Sequence, residues 1–594
     1  MTGWVRVVDS PLSIRARRGA TMPQFVLAIA LVVLLGGTLI WPMAQVVRTG
    51  FVTRDGSPTL SYIALIFSDP LLVRGLLNAA GVAIVVTAVT LALSLPLAAL
   101  SVRYDFRGRA ILAGLLLVPL VLPPFVGAIG MRLVLGRFGP LTWIVQQVGA
   151  WFGQEISPLG IDWMGRMRLV GIIVVEVLHL YPIMLLNLQA SLANIDPAME
   201  QAAANLGAGR WRRFWKITLP LMRPGLFAGC TLVLIWSFTE LGTPLMFDFY
   251  TITPVQIFKQ ITDVSDNPMP YALVVVMLAA SALLYIIGKL LLGRSYDSGT
   301  SKASVAWTPK RLSGRRGLLA ALPFVIVFAA AVLPHLSVVL TSFSEVGAWH
   351  KSLLPAQWTL GHYAQALVDE LALPSIRNSI FYATIATSGA VVVGLLVAVL
   401  VVRTDVPGRG AIDALAMLPL AVPGLVLAFG YLSISIWLKQ KMGRNVPAVL
   451  DVQNFPPLFL IIAYGARRLP YIVRAAVAGL QQTPRDLELA AANLGASRWR
   501  VMRRITVPLI LANLLAGALL AFAFSMLEVS DSLILAQRSE FYPITKAIWE
   551  LSQRLGDGLY VAGALGVWAM ALLTLTILAA NALLGKKLGA VFRV

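Results

Sequence analysis

Charge is what this sequence has least of. Asp, Glu, Lys and Arg make up 13% of its 594 residues, against about a quarter in a soluble domain. Mean hydropathy is +0.81, so the bulk of the chain is expected to lie in lipid. Cysteine occurs once, at Cys230 inside an apolar run; an internal disulfide is excluded, and the residue reads as a small packing side chain. No spacing of His, Tyr and carboxylates forms a metal site. A G-x-x-x-x-G-K-[ST] phosphate loop is missing too, because Gly288–Lys289 and Gly585–Lys586 lack the rest of it. The chain is therefore read as carrying no cofactor and no ATPase of its own, and as no enzyme by itself.

Acidic residues are scarce beside basic ones, 27 against 48, for a net charge of +21. In a soluble protein that excess points to nucleic acid, but no zinc spacing, RNA-binding signature or aromatic-interleaved basic stripe is present. The basic residues instead cluster in short loops beside apolar runs, the positive-inside pattern that orients membrane helices. Membrane lipid is the expected partner of this charge, and nucleic acid is not.

What fills the chain is long apolar runs. The first, 25–47, has no charge and is long enough to cross a ~30 Å hydrocarbon core as a helix; it exceeds the apolar region of a signal peptide. Runs near 24–47, 77–101, 110–135, 168–191, 221–243 and 270–292 give six spans. Six more fall near 317–342, 378–402, 411–436, 457–480, 509–533 and 559–584. The halves repeat: "RYDFRGRA" from Arg103 answers "RTDVPGRG" from Arg403, Pro119, Pro123 and Gly130 answer Pro419, Pro423 and Gly430, and Asn78 and Asn378 open the second spans. After the third span the offset falls from 300 to 288, which assigns the first half a longer loop around 151–160. Six is even, so the two repeats are parallel, related by an axis along the membrane normal.

The expected fold is thus an all-α polytopic membrane protein of about twelve transmembrane helices in two parallel six-helix repeats. Residues 1–22 form a tail, 23–294 the first half, 295–316 a polar, Ser-rich linker, and 317–594 the second half. The tail, the Arg103–Arg109 and Arg403–Arg409 loops, the linker (Arg294, Lys302, Lys310, Arg311, Arg315, Arg316) and the C-terminus (Lys586, Lys587, Arg593) fall on one side. That side is expected to be the cytoplasm, with both termini in it.

Between the fourth and fifth spans each half carries an insert, "AAANLGAGRWRRFWKITLP" ending at Pro220 and "AAANLGASRWRVMRRITVP" ending at Pro508. Asp196 and Pro197 suit the N-cap and first turn of a short helix; Thr483, Pro484 and Asp486 suggest the same with a capping-box spacing. Gly207 and Gly495 supply the left-handed end. Arginines with Trp211, Trp215 and Trp499 follow, a composition suited to the headgroup layer. A narrow alanine-rich helix can enter a groove on a partner protein.

The two inserts resemble the "EAA" loops of ABC-importer permeases: glutamate-alanine-alanine, three residues, glycine, nine residues, then isoleucine-x-leucine-proline. Gly207, Ile217, Leu219 and Pro220 keep that spacing, as do Gly495, Ile505, Val507 and Pro508, with Ala202, Ala203, Ala490 and Ala491 at the alanine positions. The glutamate position holds Gln201 and Leu489, while Glu200 and Glu488 stand one residue earlier in both halves. The resemblance covers essentially the whole chain. It implies coupling helices that dock two cytosolic ATPase subunits, which carry ATP and Mg, and an extracytoplasmic solute-binding protein. It also implies residence in a bacterial inner membrane.

For the pathway, charged residues inside the spans are the candidates. Ser237 and Glu240 in "SFTE" answer Ser525 and Glu528 in "SMLE", and serine and glutamate three apart would share a helix face near the outer mouth. The fourth spans differ: Glu176 and His179 precede Pro182 in one, Arg467 and Arg468 precede Pro470 in the other. The arginines are expected to face a cavity or pair with acids. Fused halves, "SFTELGTP" and "LPYIVRAAVAGLQQTP" look most like permeases of ferric-iron importers, which makes ferric iron the expected cargo. Phosphonate, sugar phosphate, thiamine and polyamine remain alternatives within the class. A proton-coupled secondary transporter is the rival from outside it, since two parallel six-span halves also describe the major facilitator fold.

Overall fold

The computed structural model describes residues 21–53, 56–161, 163–165, 168–261, 267–292, 309–349 and 352–584. The tail and the C-terminal lysines and arginine lie outside the described residues, as does most of the linker. The helices that carry the two repeats follow one another in the same order in both halves, while shorter ones such as Ser61–Ser68, Pro140–Trp151 and Gly361–Val368 lie between them. The first half has α1 (Met22–Gly50), α2 (Pro70–Arg103), α3 (Arg109–Leu120), α4 (Pro124–Val134), α5 (Arg168–Ala193), α6 (Pro197–Asn205), α7 (Arg223–Phe238), α8 (Gly242–Met246), α9 (Thr253–Lys259) and α10 (Met269–Leu292). The second has α11 (Gly314–Ser342), α12 (Ala372–Arg403), α13 (Arg409–Leu420), α14 (Gly424–Met442), α15 (Pro457–Gln482), α16 (Arg485–Asn493), α17 (Val507–Met526), α18 (Ser530–Leu535), α19 (Ile544–Gln553) and α20 (Gly558–Leu584). Among the described residues nine helices are long and apolar enough to cross a membrane, or eleven if each bent pair is one span. α15 is long enough to span a membrane but carries Arg467, Arg468 and Arg474 and is more polar than these.

The third span of each half is not the single straight helix the apolar runs suggested. α3 meets α4 at 91°, and α13 meets α14 at 102°. Prolines cause both breaks: Pro119, Pro123 and Pro124 in one half, Pro419 and Pro423 in the other, each lacking an N–H and crowding the preceding turn. The bent pairs still cross. α2 and α5 both end beside the same ion pair, Arg103–Glu200, so the chain between them has to travel to the opposite end of the bundle. Boundaries elsewhere shift outward: α2 and α12 start at Pro70 and Ala372, which leaves Asn78 and Asn378 inside those helices rather than opening them. There they act alike, Asn78 Nδ2 donating to Thr251 O at 2.6 Å and Asn378 Nδ2 to Glu540 O at 2.9 Å.

The halves are interlocked by exchange of their first spans. α1 packs on α14: Tyr431 Oη donates to Thr38 O at 2.7 Å, and Trp41 meets Trp437 edge-on at 6.0 Å. α11 packs on α4, with His335 Nε2 3.2 Å from Pro123 O. Glycine makes both approaches possible. A Cβ on Gly130 would collide with the Pro334 carbonyl, and one on Gly430 would meet Pro42 Cβ at 2.6 Å. The end of the linker is also held, because β1 (Tyr104–Asp105) pairs in parallel with β2 (Lys310–Arg311), and Leu312 N donates to Asp105 O at 2.7 Å.

Candidate functional site

Two constellations stand out, one at the basic end of the bundle and one inside it. At the basic end, α6 starts at Asp196, whose side chain accepts from Ala198 N at 2.9 Å. It ends in a Schellman turn: Ala208 N donates to Ala203 O and Gly207 N to Ala204 O, both at 2.9 Å, with Gly207 at φ +80°. α16 ends identically, through Ala496 N to Ala491 O and Gly495 N to Ala492 O at 3.0 Å, with Gly495 at φ +82°. The capping box expected at Thr483 and Asp486 is not formed. Pro484 occupies the N-cap without a side-chain bond, and Thr483 Oγ1 donates back to Gly479 O at 3.0 Å, tied to the preceding helix.

Glu200 and Glu488 point inward. Glu200 Oε1 accepts from Thr218 Oγ1 at 2.6 Å and from Arg103 Nη2. Glu488 Oε1 accepts from Thr506 Oγ1 and from Arg403 Nε, each at 3.1 Å. Arg403 also donates to the carbonyls of Leu480 and Thr483 at 3.0 Å. Each short helix is thereby clamped to the end of the second span and the start of the fifth. The opposite face is bare. Ala202, Ala490, Gly207 and Gly495 are exposed, Ala203 and Ala491 half-buried. Leu206 and Leu494, 88% and 90% exposed, project beside the glycines. Sequence reasoning passed over these leucines; their signal was an apolar residue directly before each glycine, away from any apolar stripe.

Inside the bundle, a cavity of ≈ 150 Å³ is lined by both halves. Glu240, Glu528, Arg467 and Arg468 meet on it, as do Glu176 and His179. Arg467 lies ten residues from the start of α15, about 15 Å along the helix. The cavity therefore sits within the bundle rather than at its outer mouth. Ser237 and Ser525 are buried behind its wall. The fifth spans end at Phe238 and Met526, so Glu240 and Glu528 lie just past the helix ends and do not share a helical face with the serines. Pro244 explains the break in the first half, since its ring excludes a helical carbonyl at residue 240. In the second half, Ser532 Oγ and Thr545 Oγ1 take the Glu528 carbonyl instead, the latter at 2.7 Å.

The two walls are chemically unlike. On the second-half wall, Arg467 and Arg468 both donate to the Glu528 carboxylate, Arg467 lies 3.6 Å from Asp531, and Arg468 Nη2 donates to Phe524 O at 3.1 Å. The Arg467 guanidinium rests where a Cβ on Gly424 would stand. On the first-half wall, Glu240 Oε1 accepts from the amides of Gly242 and Thr243 at 3.1 and 3.2 Å, and Glu176 Oε2 accepts from Ser237 Oγ. His179 Nδ1 is 3.0 Å from Pro119 O, a carbonyl at the α3–α4 break. Among the described residues no group of three His, Cys, Asp or Glu side chains could hold a metal ion.

The family described as "binding-protein-dependent transport system inner membrane component" matches this chain twice, over residues 85–296 and 390–587. A putative ferric transport system permease protein of Haemophilus influenzae is 29% identical over 80% of this chain and 71% of its own length. A molybdenum transport system permease protein of the same organism is 36% identical over 26% of this chain and 64% of its own. A spermidine/putrescine transport system permease protein of Escherichia coli is 28% identical over 33% of this chain and 70% of its own.

Proposed function

This chain belongs to the binding-protein-dependent transport system inner membrane component family, both halves included, and on that premise we propose how it imports its solute. It is a fused ABC-importer permease, a multi-pass inner-membrane protein in which one chain supplies both halves of the translocation path. In our reading α6 and α16 are coupling helices, each docked in a groove of a separate ATPase subunit on the cytoplasmic side. A solute-binding protein delivers cargo at the opposite end. The observation that supports docking is the pair of bare leucines, Leu206 and Leu494, on two helices whose other face is pinned by an ion pair. Exposed apolar anchors on short rigid elements at a water-facing end are what a partner groove recognises.

ATP-driven closure of the two ATPases would move α6 and α16, and through Glu200–Arg103 and Glu488–Arg403 the second and fifth spans. The fifth spans end just before Glu240 and Glu528, which lie on the cavity. Motion at the basic end thus reaches the solute path along two rigid helices. ATP and Mg belong to the partner subunits.

Ferric iron is the cargo we propose, on the likeness to a ferric permease along four-fifths of the chain. An oxyanion such as molybdate is the second reading, favoured by the arginine pair on the cavity wall and the shorter molybdenum-permease match. Phosphonate, sugar phosphate, thiamine and polyamine are further arms of one test. Calorimetry on the accompanying binding protein with ferric citrate, molybdate, a phosphonate, a sugar phosphate, thiamine and spermidine decides among them. Saturable binding of ferric citrate alone supports iron; binding of another solute with none of iron overturns it.

A further inference from the structure

The repeat offset pairs each residue of one cavity wall with its counterpart on the other. His179 corresponds to Arg467, Leu180 to Arg468, Glu176 to Tyr464, Thr243 to Asp531, and Glu240 to Glu528. Only the last pair has kept its chemistry. In the second half the carboxylates are answered within the protein, because Glu528 holds both guanidiniums and Asp531 lies beside Arg467. Tyr464, where the first half has Glu176, is neutral and bonded to Ser532 at 2.6 Å.

The first-half wall has no such answer. Neither Glu176 nor Glu240 has an ion-pair partner among the described residues; Arg467 on the facing wall acts on Glu240 only across the cavity, and Glu176 has no such neighbour. Glu176 is 3% exposed, and its Oε1 has no hydrogen-bond partner. Thr243, fully buried on the same lining, has an unpartnered hydroxyl as well. Burying a carboxylate without a counter-charge is costly, and such groups are retained where something positive comes to them. The two arginines that could have filled this role are held by Glu528.

We propose that Glu176, Glu240 and Thr243 form a one-sided cation site through which cargo passes, with Arg467 and Arg468 locked to the other wall so that they do not occupy it. Oxygen donors of this kind suit a hard, highly charged metal ion. The cavity, ≈ 150 Å³, has room for such an ion with several waters, each needing about 10–15 Å³ on the same measure. Two carboxylates and a hydroxyl bind more weakly than a resident-metal set, and a pathway site has to let go. The inference rests on the reading of this chain as an importer of ferric iron.

The test uses the full chain with its ATPases and binding protein in proteoliposomes, and the purified chain in nanodiscs titrated with Tb3+, whose emission Trp236 and Tyr471 on the lining can sensitise. Glu176→Gln with Glu240→Gln should weaken saturable Tb3+ binding at least tenfold and lower ferric uptake at least tenfold, with ATPase co-purification retained. Thr243→Val should weaken Tb3+ binding about threefold, and Glu176→Asp with Glu240→Asp should recover most of it. Should the double Gln variant fail to fold, these two milder variants decide. If the wild type imports ferric iron under ATP and the variants match it in uptake and Tb3+ affinity, the cation site is wrong and the importer reading stands. If the wild type imports an oxyanion and no iron, the cargo reading falls and this site with it.

Discussion

Glu488 takes a 3.1 Å hydrogen bond from Arg403 Nε, and Glu200 meets Arg103 in the same position of the other half. A glutamate one place away from the family's usual position is therefore shifted in register with a purpose common to both halves. In both halves it faces the bundle and closes a triad with an arginine of the second span and a threonine just before the fifth, Thr218 or Thr506.

Glu488→Ala would leave Arg403, 13% exposed, facing the gap without its carboxylate. Breaking such a half-buried pair from one side costs about 3 kcal/mol. The expected outcome is a lower thermal midpoint and a several-fold loss of transport-coupled ATP hydrolysis. The charge swap Glu488→Arg with Arg403→Glu should recover part of both. Scanning calorimetry and coupled ATPase assays read the two effects.

Gly207→Asp together with Gly495→Asp should leave the membrane bundle folded and uncouple it. No atom lies within 4 Å of a Cβ at either glycine, so there is no clash inside the chain. The left-handed backbone costs a non-glycine residue about 1 kcal/mol, and two new charges stand beside Leu206 and Leu494. Loss of ATPase co-purification with an unchanged gel-filtration profile is the predicted result; normal transport would remove the coupling assignment.

Glu528→Gln removes the negative charge that two guanidiniums share and leaves one amide oxygen to accept from them, and the loss should approach about 3–5 kcal/mol, the range for a buried pair broken on one side. Adding Arg468→Gln should restore part of the stability by removing one orphaned charge. A double-mutant cycle on thermal unfolding measures the coupling.

Gly130→Ala should destabilise the chain by about 1–3 kcal/mol, because the methyl group would enter the Pro334 carbonyl of the exchanged span. Gly389→Ala, with open space around it, is the control and should be neutral. Thermal melts in one detergent compare them directly.

Most of the apolar spans, the two repeats and the paired short helices were legible from apolar length and from Gly207 and Gly495, because membrane thickness and left-handed turns leave direct marks in sequence. The bends at Pro123 and Pro423 were marked by proline but not by their angle, which depends on what packs into the notch. The exchange of α1 and α11 left only Gly130 and Gly430 as traces, since a close approach shows in one sequence as a small residue and not as its partner. Glu176 lay in plain view in an apolar run. That no opposite charge among the described residues pairs with it depends on which helices meet there, and no spacing along one helix reports it.

The central claim is that this permease is driven by ATPases docked on α6 and α16. Uptake of radioactive iron into proteoliposomes holding the chain, its ATPases and its binding protein tests that most directly. Uptake that requires ATP inside the ATPase-facing compartment, and that Gly207→Asp with Gly495→Asp abolishes, is the predicted result. Uptake that persists without ATP and follows a proton gradient would contradict it.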